Sequence, residues 1–381
     1  PGRLLIATLR SRREGGAWDG DEAATRALLG KALDAGFDLV DVEARGPGGA
    51  SLLGLPPDRV IASFHDPRGI PGDLDRTLLE LERTGARHLK VVASAATSEG
   101  ALRLLRLQAS RRGGNVTVFG MGEAGIATRA LSPYLGAPLA FGSLVPGSGT
   151  APGQLPASDL REVYGIGRDR TVDRLFALFG GRVSHSFSPA LHNGCFERLG
   201  LASLYVPFAL RSLAAELGPL RAGLELLGLP LAGASVTVPF KHEAASLATD
   251  GHGEPVNTLL VRGGAVASTN TDVTALRDAI PDPSGSGRAL LLGAGGMAAS
   301  AAQVCHARGW ALDVFARRSD SATPLAARIG ATVLAVPPDP GTPYALIVNA
   351  TPLGLLPSDP LPCSPELLRE GVLLVDAPYR P

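Results

Sequence analysis

Residues 290–298 read LLLGAGGMA, a short apolar run that passes through a glycine-rich turn into an alanine-rich stretch. The turn fits the pattern G-x-G-x-x-A, in which glycines let the backbone approach a pyrophosphate at a helix N-terminus. The pattern alone is weak evidence, but the strand before it and the helix after it are the context that it requires. We therefore predict a Rossmann domain whose dinucleotide-contacting residues are Gly293, Ala294, Gly295, Gly296, Met297 and Ala298.

The end of the next predicted strand, residues 312–316, indicates which dinucleotide binds. That strand runs into Arg317 and Arg318 and carries no carboxylate at its tip. A carboxylate would bind the ribose 2′-hydroxyl of NAD, whereas paired arginines suit a 2′-phosphate. We predict NADP; the alternative is an arginine pair that only faces solvent.

Two linkers rich in glycine, proline and serine, at residues 146–154 and 281–287, divide the chain of 381 residues into modules. The predicted modules are residues 1–156, a connecting segment 157–173, residues 174–280 and residues 281–381.

In the first module, β-rich runs alternate with helical stretches, which is typical of parallel βα units. The runs are residues 4–9, 37–42, 60–64, 88–92, 115–119 and 138–141. An eightfold βα barrel needs two more strands. The predicted fold class is therefore α/β: an incomplete (β/α)8 barrel, then an α/β substrate domain, then the Rossmann domain.

Composition argues against several classes of function. Lys+Arg and Asp+Glu both number 36, so no global field recruits nucleic acid or an anionic membrane, and small acidic metabolites are the candidate ligands. The three cysteines are far apart, which predicts neither disulfides nor a metal cluster and favours a reducing, cytoplasmic compartment. The apolar runs are strand-sized rather than about 20 residues long, so we expect a soluble protein.

A lysine lies inside the fourth predicted strand. Lys90 is flanked by Leu89 and Val91, so it should point into the barrel, where desolvation lowers its pKa and leaves an amine able to attack a ketone. His65, at the end of the preceding strand, could supply general acid/base catalysis. Taken alone, such a lysine more often extends to solvent at a strand end. Further polar candidates of this module are Arg10, Glu14, Arg129 and Gln154, the last two for a carboxylate and hydroxyls.

The second module carries its candidates in short polar segments. Residues 184–189 read SHSFSP and place Ser186 and Ser188 before a proline that can start a helix; alone, this is more often a helix cap. Residues 235–241 read SVTVPFK, a strand that runs into a turn with Lys241 at its exit. If the fold brings Lys241 and Asp272 together, they pair and hold the ammonium near a reacting hydroxyl. Thr237 and Asn257 complete this set.

The order and spacing of the first module's segments resemble type I 3-dehydroquinate dehydratases over most of residues 3–155. The matching segments are TLR at 8–10, EGG at 14–16, SFHD at 63–66, Lys90, MG at 121–122, TR at 128–129 and TAPGQ at 150–154. The resemblance implies that Lys90 forms an imine with 3-dehydroquinate and that His65 moves protons while water leaves to give 3-dehydroshikimate. It assigns Arg129 to the carboxylate and Arg10, Glu14, Thr150 and Gln154 to the hydroxyl pocket and lid.

Residues 174–381 resemble shikimate dehydrogenases, with nearly every signature segment in order. The resemblance assigns Ser186 and Ser188 to the substrate carboxylate, Thr237, Asn257 and Asp272 to ring hydroxyls, and Lys241 with Asp272 to proton transfer during hydride exchange. Asn349 and Thr351 match the segment beside the nicotinamide, and Tyr379 would reach the site. Ser235 is a departure, since the family usually has asparagine there.

Both ends of the chain look cut by comparison with these families. The dehydratases open with two further strands that end in a Glu-x-Arg clamp, and the dehydrogenases continue past Pro381 to a helix with a substrate-contacting glutamine. We expect a truncated chain or a degenerate dehydratase half.

Together the resemblances imply a bifunctional enzyme of the shikimate pathway, in aromatic amino acid biosynthesis, that makes 3-dehydroshikimate from 3-dehydroquinate and then shikimate with NADPH. The alternatives are a quinate or shikimate oxidoreductase with an inactive barrel and a non-catalytic metabolite sensor of the same folds. Oligomeric state stays open.

Overall fold

The computed structural model describes residues 4–46, 49–145, 147–249 and 256–378. The chain forms two compact units, residues 1–240 and 241–381. Tyr379, predicted to contact substrate, lies outside the described residues. Within those residues, none of the helices combines the length and the apolar character that crossing a bilayer requires.

The first part of unit one is a parallel βα sheet, which we call the barrel half (residues 4–145). Its strands are β1 Ile6–Thr8, β2 Leu39–Glu43, β3 Arg45–Gly46, β4 Gly49–Ala50, β5 Val60–Asp66, β6 His88–Ser94 and β7 Val116–Met121. The sheet order is β1-β2-β5-β6-β7, with every neighbouring pair parallel, and β3 and β4 form a separate hairpin. This succession of parallel strands in chain order is that of consecutive barrel strands, as predicted.

In the barrel half, one helix lies between β1 and β2, one between β5 and β6 and one between β6 and β7, and a fourth follows β7. They are α1 Glu22–Asp34, α2 Leu74–Glu82, α3 Ser98–Ala109 and α4 Ile126–Leu131. The first three begin at Asp21, Asp73 and Thr97, whose side-chain oxygens accept a backbone N–H of the first turn. Helix residues such as Leu78 and Leu104 pack against β-strand residues such as Val91 in one apolar cluster. Strands β2, β5, β6 and β7 are mostly buried because helices cover the sheet, whereas the edge strand β1 is largely exposed.

Residues 138–141 do not form the predicted sixth strand. Pro138 has no backbone N–H, and a strand needs a neighbour that satisfies its hydrogen bonds. Nearby, an isolated bridge joins Ser143 to Pro156. The ring of Phe141 packs against Phe119 instead. The prediction was wrong because an apolar, β-prone composition does not show whether a partner strand is available.

The rest of unit one is a second parallel sheet with its helices. Its elements are α5 Ala157–Glu162, β8 Arg174–Gly180, α6 Ser188–Arg198, β9 Ser203–Ala209, α7 Leu213–Leu226 and β10 Leu231–Val236. Strand β8 pairs in parallel with both β9 and β10. Helix α7 packs on α3 and strand β9 on α4. The second sheet therefore shares a packed boundary with the barrel half.

Unit two contains the Rossmann domain. Its elements are α8 Lys241–Leu247, β11 Thr258–Arg262, β12 Ala265–Thr269, α9 Thr271–Ala279, β13 Arg288–Leu292, α10 Gly296–Ala307, β14 Ala311–Phe315, α11 Ser319–Ile329, β15 Thr332–Leu334, β16 Leu346–Asn349 and β17 Leu373–Asp376. Strands β11 and β12 form an antiparallel hairpin. The parallel sheet has the order β15-β14-β13-β16-β17. The order reverses between β13 and β16, the switch point at which such sheets bind ligands.

Candidate active sites

Lys90 projects from β6 into the interior of the barrel half. Only 5% of the residue is exposed. Its Nζ donates to Asp41 Oδ2 at 2.5 Å and lies 4.3 Å from the centre of the Phe141 ring. Burial lowers the pKa of Lys90, although the Asp41 carboxylate opposes this effect. The alternative of a lysine that extends to solvent is therefore excluded.

Asp41 supplies the buried carboxylate that pairs with Lys90, and the sequence analysis missed this residue. The residue is 2% exposed and, besides Lys90, accepts hydrogen bonds from Ser63 Oγ at 2.5 Å and from Arg10 Nη2 at 2.9 Å. Burial disfavours the charged carboxylate, but the neighbouring Lys90 and Arg10 outweigh burial and lower the pKa of Asp41. A signal was present, because an acidic residue flanked by valines in a buried strand requires cationic partners.

The register of the strands brings these side chains together. Glu43, Ser63, Lys90 and Thr117 are aligned side by side across β2, β5, β6 and β7. Side chains two residues apart on a strand share a face. Asp41 precedes Glu43 by two residues on β2, and His65 follows Ser63 by two residues on β5. Both side chains therefore lie on the same face of the sheet as this row.

Glu14 and His65 contact each other directly. Glu14 Oε2 accepts the backbone N–H of His65 at 3.0 Å and lies 3.0 Å from His65 Nδ1. Burial and the neighbouring Glu43 raise the pKa of Glu14 to about 8, in spite of nearby arginines. Burial and the charges of Lys90 and Arg10 lower the pKa of His65 well below its usual value. At neutral pH the Glu14–His65 pair is therefore mostly uncharged, with Nδ1 directed at Glu14.

Arg10 connects the lysine group to the histidine group. Its Nη1 donates to Glu14 Oε2, Glu43 Oε1 and Ser63 Oγ, each at 3.2 Å, while Nη2 contacts Asp41. Arg10, predicted as a hydroxyl-pocket residue, directs its positive charge in the structure at the carboxyl groups of Glu14, Asp41 and Glu43. The structure brings together Arg10, Glu14, His65 and Lys90 of the predicted set.

Arg129 lies on α4. It contacts the Phe119 ring, whereas Lys90 contacts the Phe141 ring that packs on Phe119. The guanidinium carbon of Arg129 lies 4.6 Å from the centre of the Phe119 ring, and Phe119 packs on Phe141 with centroids 5.6 Å apart. Burial lowers the pKa of Arg129 to about 10. Within the described part of the chain, its buried Nε has no hydrogen-bond partner. A buried guanidinium nitrogen without a partner favours binding of an anion.

Thr150 and Gln154, predicted for a lid, contact each other in one turn. The N–H and Oγ1 of Thr150 donate to Gln154 Oε1 at 2.7 and 3.2 Å. The turn is tied to the loop after β7, because Pro152 O accepts the Gly122 N–H at 3.0 Å. Ala151 packs against the aromatic cluster that contains Phe119. The segment therefore covers the aromatic pair rather than joining the charged network.

Ser186 and Ser188 lie at the start of α6. Ser186 Oγ accepts the Ser188 N–H at 3.1 Å in a local turn, but the residue immediately before α6 is Phe187, whose phenyl side chain cannot cap a helix. The alternative in which these serines serve only as a helix cap is therefore not supported. Tyr205, which the sequence analysis missed, is buried nearby with its ring stacked on His192 at 4.3 Å. Burial raises the pKa of Tyr205 to about 12, while the adjacent hydroxyls of Ser235 and Ser188 lower it. Within the part of the chain that the structure describes, the buried Tyr205 hydroxyl has no hydrogen-bond partner.

Thr237 follows β10 and packs closely on the end of β8. A Cβ added at Gly180 would lie 2.6 Å from Thr237 Cγ2, and the Thr237 N–H donates to Phe179 O at 2.9 Å. The absence of a side chain at Gly180 allows this approach. The backbone of Thr237 is therefore well fixed.

In unit two, Lys241, Asn257 and Asp272 come together. Lys241 Nζ forms an ion pair with Asp272 Oδ2, and Asp272 Oδ1 accepts from Asn257 Nδ2 at 2.8 Å. Asn270 caps α9 by accepting the Asp272 N–H at 3.0 Å, which holds the carboxylate in place. The predicted pairing of Lys241 with Asp272 is confirmed.

The glycine-rich turn lies next to Lys241. A Cβ added at Gly296 would be 2.8 Å from Lys241 Cδ. Gly293 has a φ of 109°, and a Cβ there would be 2.9 Å from Ala350 O at the switch point. Gly295 precedes α10 without a side-chain cap among the described residues, so the first N–H groups of the helix can take an anion. These features fit the pyrophosphate of a dinucleotide.

The other predicted cofactor residues divide into two groups. Asn349 is buried; its Oδ1 accepts the N–H and hydroxyl of Thr351 at 3.1 and 2.7 Å, and its Nδ2 donates to Asp376 Oδ1 at 2.8 Å. These bonds hold the loop after β16. Arg317 and Arg318 are exposed after β14, where a phosphate can reach them. Ala298 is fully buried against the sheet, and Met297 and Ala294 pack at its edge.

No three His, Cys, Asp or Glu side chains are grouped to hold a metal ion in the ranges that the structure describes.

Known proteins resemble the chain in both parts. The family profile of Type I 3-dehydroquinase matches residues 2–170, and that of the Shikimate dehydrogenase substrate binding domain matches residues 178–255. The bifunctional 3-dehydroquinate dehydratase/shikimate dehydrogenase of Arabidopsis thaliana is 28% identical over 99% of this chain and 67% of the plant protein. A shikimate dehydrogenase (NADP(+)) of Rubrobacter xylanophilus is 38% identical over 54% of this chain and 78% of its own length. A 3-dehydroquinate dehydratase of Dehalococcoides mccartyi is 31% identical over 42% of this chain and 74% of its own length.

Proposed function

Because the chain belongs to the type I 3-dehydroquinase and shikimate dehydrogenase families, we propose that it catalyses two consecutive reactions of the shikimate pathway. The barrel half dehydrates 3-dehydroquinate to 3-dehydroshikimate, and the dehydrogenase half (residues 174–378) reduces 3-dehydroshikimate to shikimate with NADPH. The observation that carries the proposal is a lysine paired with an aspartate in each half, Lys90 with Asp41 and Lys241 with Asp272. The proposed domains are residues 1–156, a connection at 157–173, and residues 174–280 and 281–381.

In the dehydratase reaction, Lys90 is the nucleophile. Its lowered pKa favours loss of the ammonium proton to His65, and the neutral amine then adds to the substrate ketone. The hydroxyl of this adduct leaves as water with the proton that His65 carries, which gives an iminium, a protonated Schiff base. His65 removes the proton on the α-carbon, and the iminium nitrogen accepts the electron pair of that C–H bond. The electrons return to expel the β-hydroxyl, which leaves as water with the proton that His65 carries. Hydrolysis of the remaining imine by another water releases 3-dehydroshikimate and restores Lys90.

The neighbouring side chains prepare these two residues. Glu14 holds Nδ1 of His65, so that Nε2 is the nitrogen that exchanges protons with substrate. Asp41 positions the Lys90 amine. Arg129 binds the substrate carboxylate, which its unpaired Nε supports. Arg10, Thr150 and Gln154 form the hydroxyl pocket and lid.

In the dehydrogenase reaction, Lys241 gives a proton to the carbonyl oxygen of 3-dehydroshikimate as that carbonyl is reduced, and Asp272 holds the ammonium. When bound, NADPH supplies the hydride. The glycine turn would hold its pyrophosphate through Gly293, Ala294, Gly295, Gly296, Met297 and Ala298. Arg317 and Arg318 would hold the 2′-phosphate, and the loop of Asn349 and Thr351 would border the nicotinamide. Ser186, Ser188, Thr237, Asn257 and Tyr379 bind the substrate carboxylate and hydroxyls.

The test is NADPH consumption by the purified chain, supplied in parallel with 3-dehydroshikimate and with 3-dehydroquinate. Consumption with both substrates is expected. Lys90→Ala should abolish consumption with 3-dehydroquinate only, and Lys241→Ala should abolish it with both. Borohydride added with 3-dehydroquinate should attach substrate mass to Lys90, and an unlabelled Lys90 in a folded sample would contradict the imine.

Two additional measurements, turnover of quinate with NAD and binding of ligand without turnover, separate the rival functions. A strong preference for NAD with quinate would indicate a catabolic oxidoreductase, and ligand binding without turnover would indicate a sensor. We also propose a cytoplasmic location and a role in aromatic amino acid biosynthesis. The three cysteines, Cys195, Cys305 and Cys363, support a reducing compartment, because all three are free thiols.

A further inference from the structure

A glutamate of the barrel half holds a segment of the second sheet. Glu123 follows β7, and its Oε1 accepts the hydroxyl of Ser184 at 2.6 Å. Its Oε2 accepts the backbone N–H of Val183 at 3.2 Å. The carboxylate therefore receives two hydrogen bonds across the boundary between the barrel half and the dehydrogenase half.

Backbone hydrogen bonds hold the loop that carries Glu123. The Gly125 N–H donates to Gly122 O at 3.0 Å, and the Gly122 N–H donates to Pro152 O at 3.0 Å. A Cβ added at Gly153 would lie 2.4 Å from Gly122 O, so the two turns are in close contact. The residue that reaches across the boundary thus lies between two backbone hydrogen bonds, one to the start of α4 and one to the turn at residues 150–154.

The segment that Glu123 holds leads to the predicted carboxylate-binding serines. Val183 is buried against Leu178 and Tyr205, and its carbonyl accepts the Ser186 N–H at 3.3 Å. The Ser188 N–H then donates to Ser186 Oγ at 3.1 Å. The start of this turn is held by Glu123 from outside the second sheet. A displacement at Val183 and Ser184 therefore moves Ser186 and Ser188.

We propose that Glu123 is a positioning residue through which the barrel half sets the substrate-binding serine segment, residues 183–188, of the dehydrogenase half. The inference rests on the proposed function, since it concerns the binding of 3-dehydroshikimate and shikimate to Ser186 and Ser188. The dehydrogenase half then depends on the barrel half for its affinity for substrate. This dependence arises from a structural contact and not from transfer of an intermediate.

A second glutamate offers a matched control at the same boundary. Glu216 accepts the N–H groups of Ser98, Arg211 and Ser212 at 3.2, 2.7 and 3.1 Å, and also the Ser98 hydroxyl. Glu216 thus joins α3 to the loop before α7 and does not contact residues 183–188 in any hydrogen bond that the described structure shows. Loss of Glu216 loosens the boundary without releasing the serine segment.

The experiment compares Glu123→Ala, Glu123→Gln, Ser184→Ala and Glu216→Ala in the full chain. For Glu123→Ala we expect the KM for 3-dehydroshikimate to rise about 5- to 30-fold, because two hydrogen bonds to a carboxylate are lost. The value of kcat and the KM for NADPH should change little, since the loss affects substrate binding alone. Glu123→Gln retains one acceptor for Ser184 and should give an intermediate rise. Glu216→Ala should lower the melting temperature and leave this KM unchanged.

A double-mutant cycle distinguishes loss of the contact between Glu123 and Ser184 from damage that Glu123→Ala could cause to its own loop. Ser184→Ala leaves the barrel half untouched and should also raise the KM, and Glu123→Ala combined with Ser184→Ala should add less than the sum of the two effects. An unchanged KM in both single variants would overturn the inference, as would an equal rise in Glu216→Ala.

Shikimate affinity, measured by calorimetry on the same variants, separates failure of this inference from failure of the proposed function. Wild-type protein that binds shikimate but does not consume NADPH refutes the proposed reaction, while the dissociation constants of the variants still decide the role of Glu123. Wild-type protein that does neither refutes both.

Discussion

Replacing Glu14 by glutamine should make the barrel half more stable and its dehydratase slower. In the folded protein the pKa of Glu14 is about 8, against an ordinary value of 4.5. A carboxyl whose pKa is raised by folding binds more protons in the folded state, so the stability that it provides below pH 4.5 is lost as pH rises towards 8. At pH 7 this loss is about 3 kcal/mol, at about 1.4 kcal/mol per pH unit. Glutamine does not titrate and avoids the loss.

The expected signature is a difference in unfolding free energy that grows with pH. Between pH 5 and pH 8, Glu14→Gln should gain over the wild type by about 1.4 kcal/mol per unit. Its amide oxygen can still accept from the His65 N–H and Arg10, the donors that Glu14 Oε2 binds. The dehydratase kcat should fall about 10²-fold, because a glutamine side chain cannot ionise beside Nδ1 to stabilise the imidazolium that forms when His65 takes the α-proton.

The chain allows a local assay. Its two tryptophans are Trp18 and Trp310, and Trp18 lies in the barrel half, where its Nε1 donates to Thr25 at 2.8 Å. In a Trp310→Phe background, urea unfolding followed by fluorescence reports the barrel half at each pH. Glu99→Gln, an exposed glutamate on α3, is the control and should show no pH-dependent gain. If the unfolding free energy of Glu14→Gln minus that of the wild type stays constant or falls as pH rises, Glu14 is ionised in the folded protein and the reasoning fails.

Three further outcomes are expected. Gly296→Ala places a Cβ 2.8 Å from Lys241 Cδ, so it should lower the dehydrogenase kcat about 10-fold or more and leave the dehydratase intact in steady-state assays; an unchanged kcat would show that the lysine stem can move aside. Arg317→Ala combined with Arg318→Ala should raise the KM for NADPH about 10- to 100-fold and leave the KM for NADH nearly unchanged; equal losses with both would remove the 2′-phosphate assignment. Treatment with EDTA should leave both activities unchanged, and inhibition that zinc or magnesium reverses would contradict the metal-free prediction.

Much of the fold was predictable because it depends on local chemistry. The alternation of β-rich and helical stretches indicated parallel βα units, and the turn at Gly293 required a residue that tolerates a φ of 109°. The strand predicted at residues 138–141 was wrong, because strand formation there depends on a neighbour rather than on composition. Lys90 could be singled out because leucine and valine flank it within a strand, and Lys241 because it follows the short apolar turn after β10.

The amino-acid sequence by itself determined the family, the order of the domains and most of the residues able to carry chemistry. Only the tertiary structure decided which charges meet. Asp41 reaches Lys90 across 49 residues, and Glu123 reaches Ser184 across 61. Such pairs cannot be read from local periodicity, because strand register and helix packing decide which distant side chains share a buried volume. Burial then sets their protonation, as the opposite pKa shifts of Asp41 and Glu14 show.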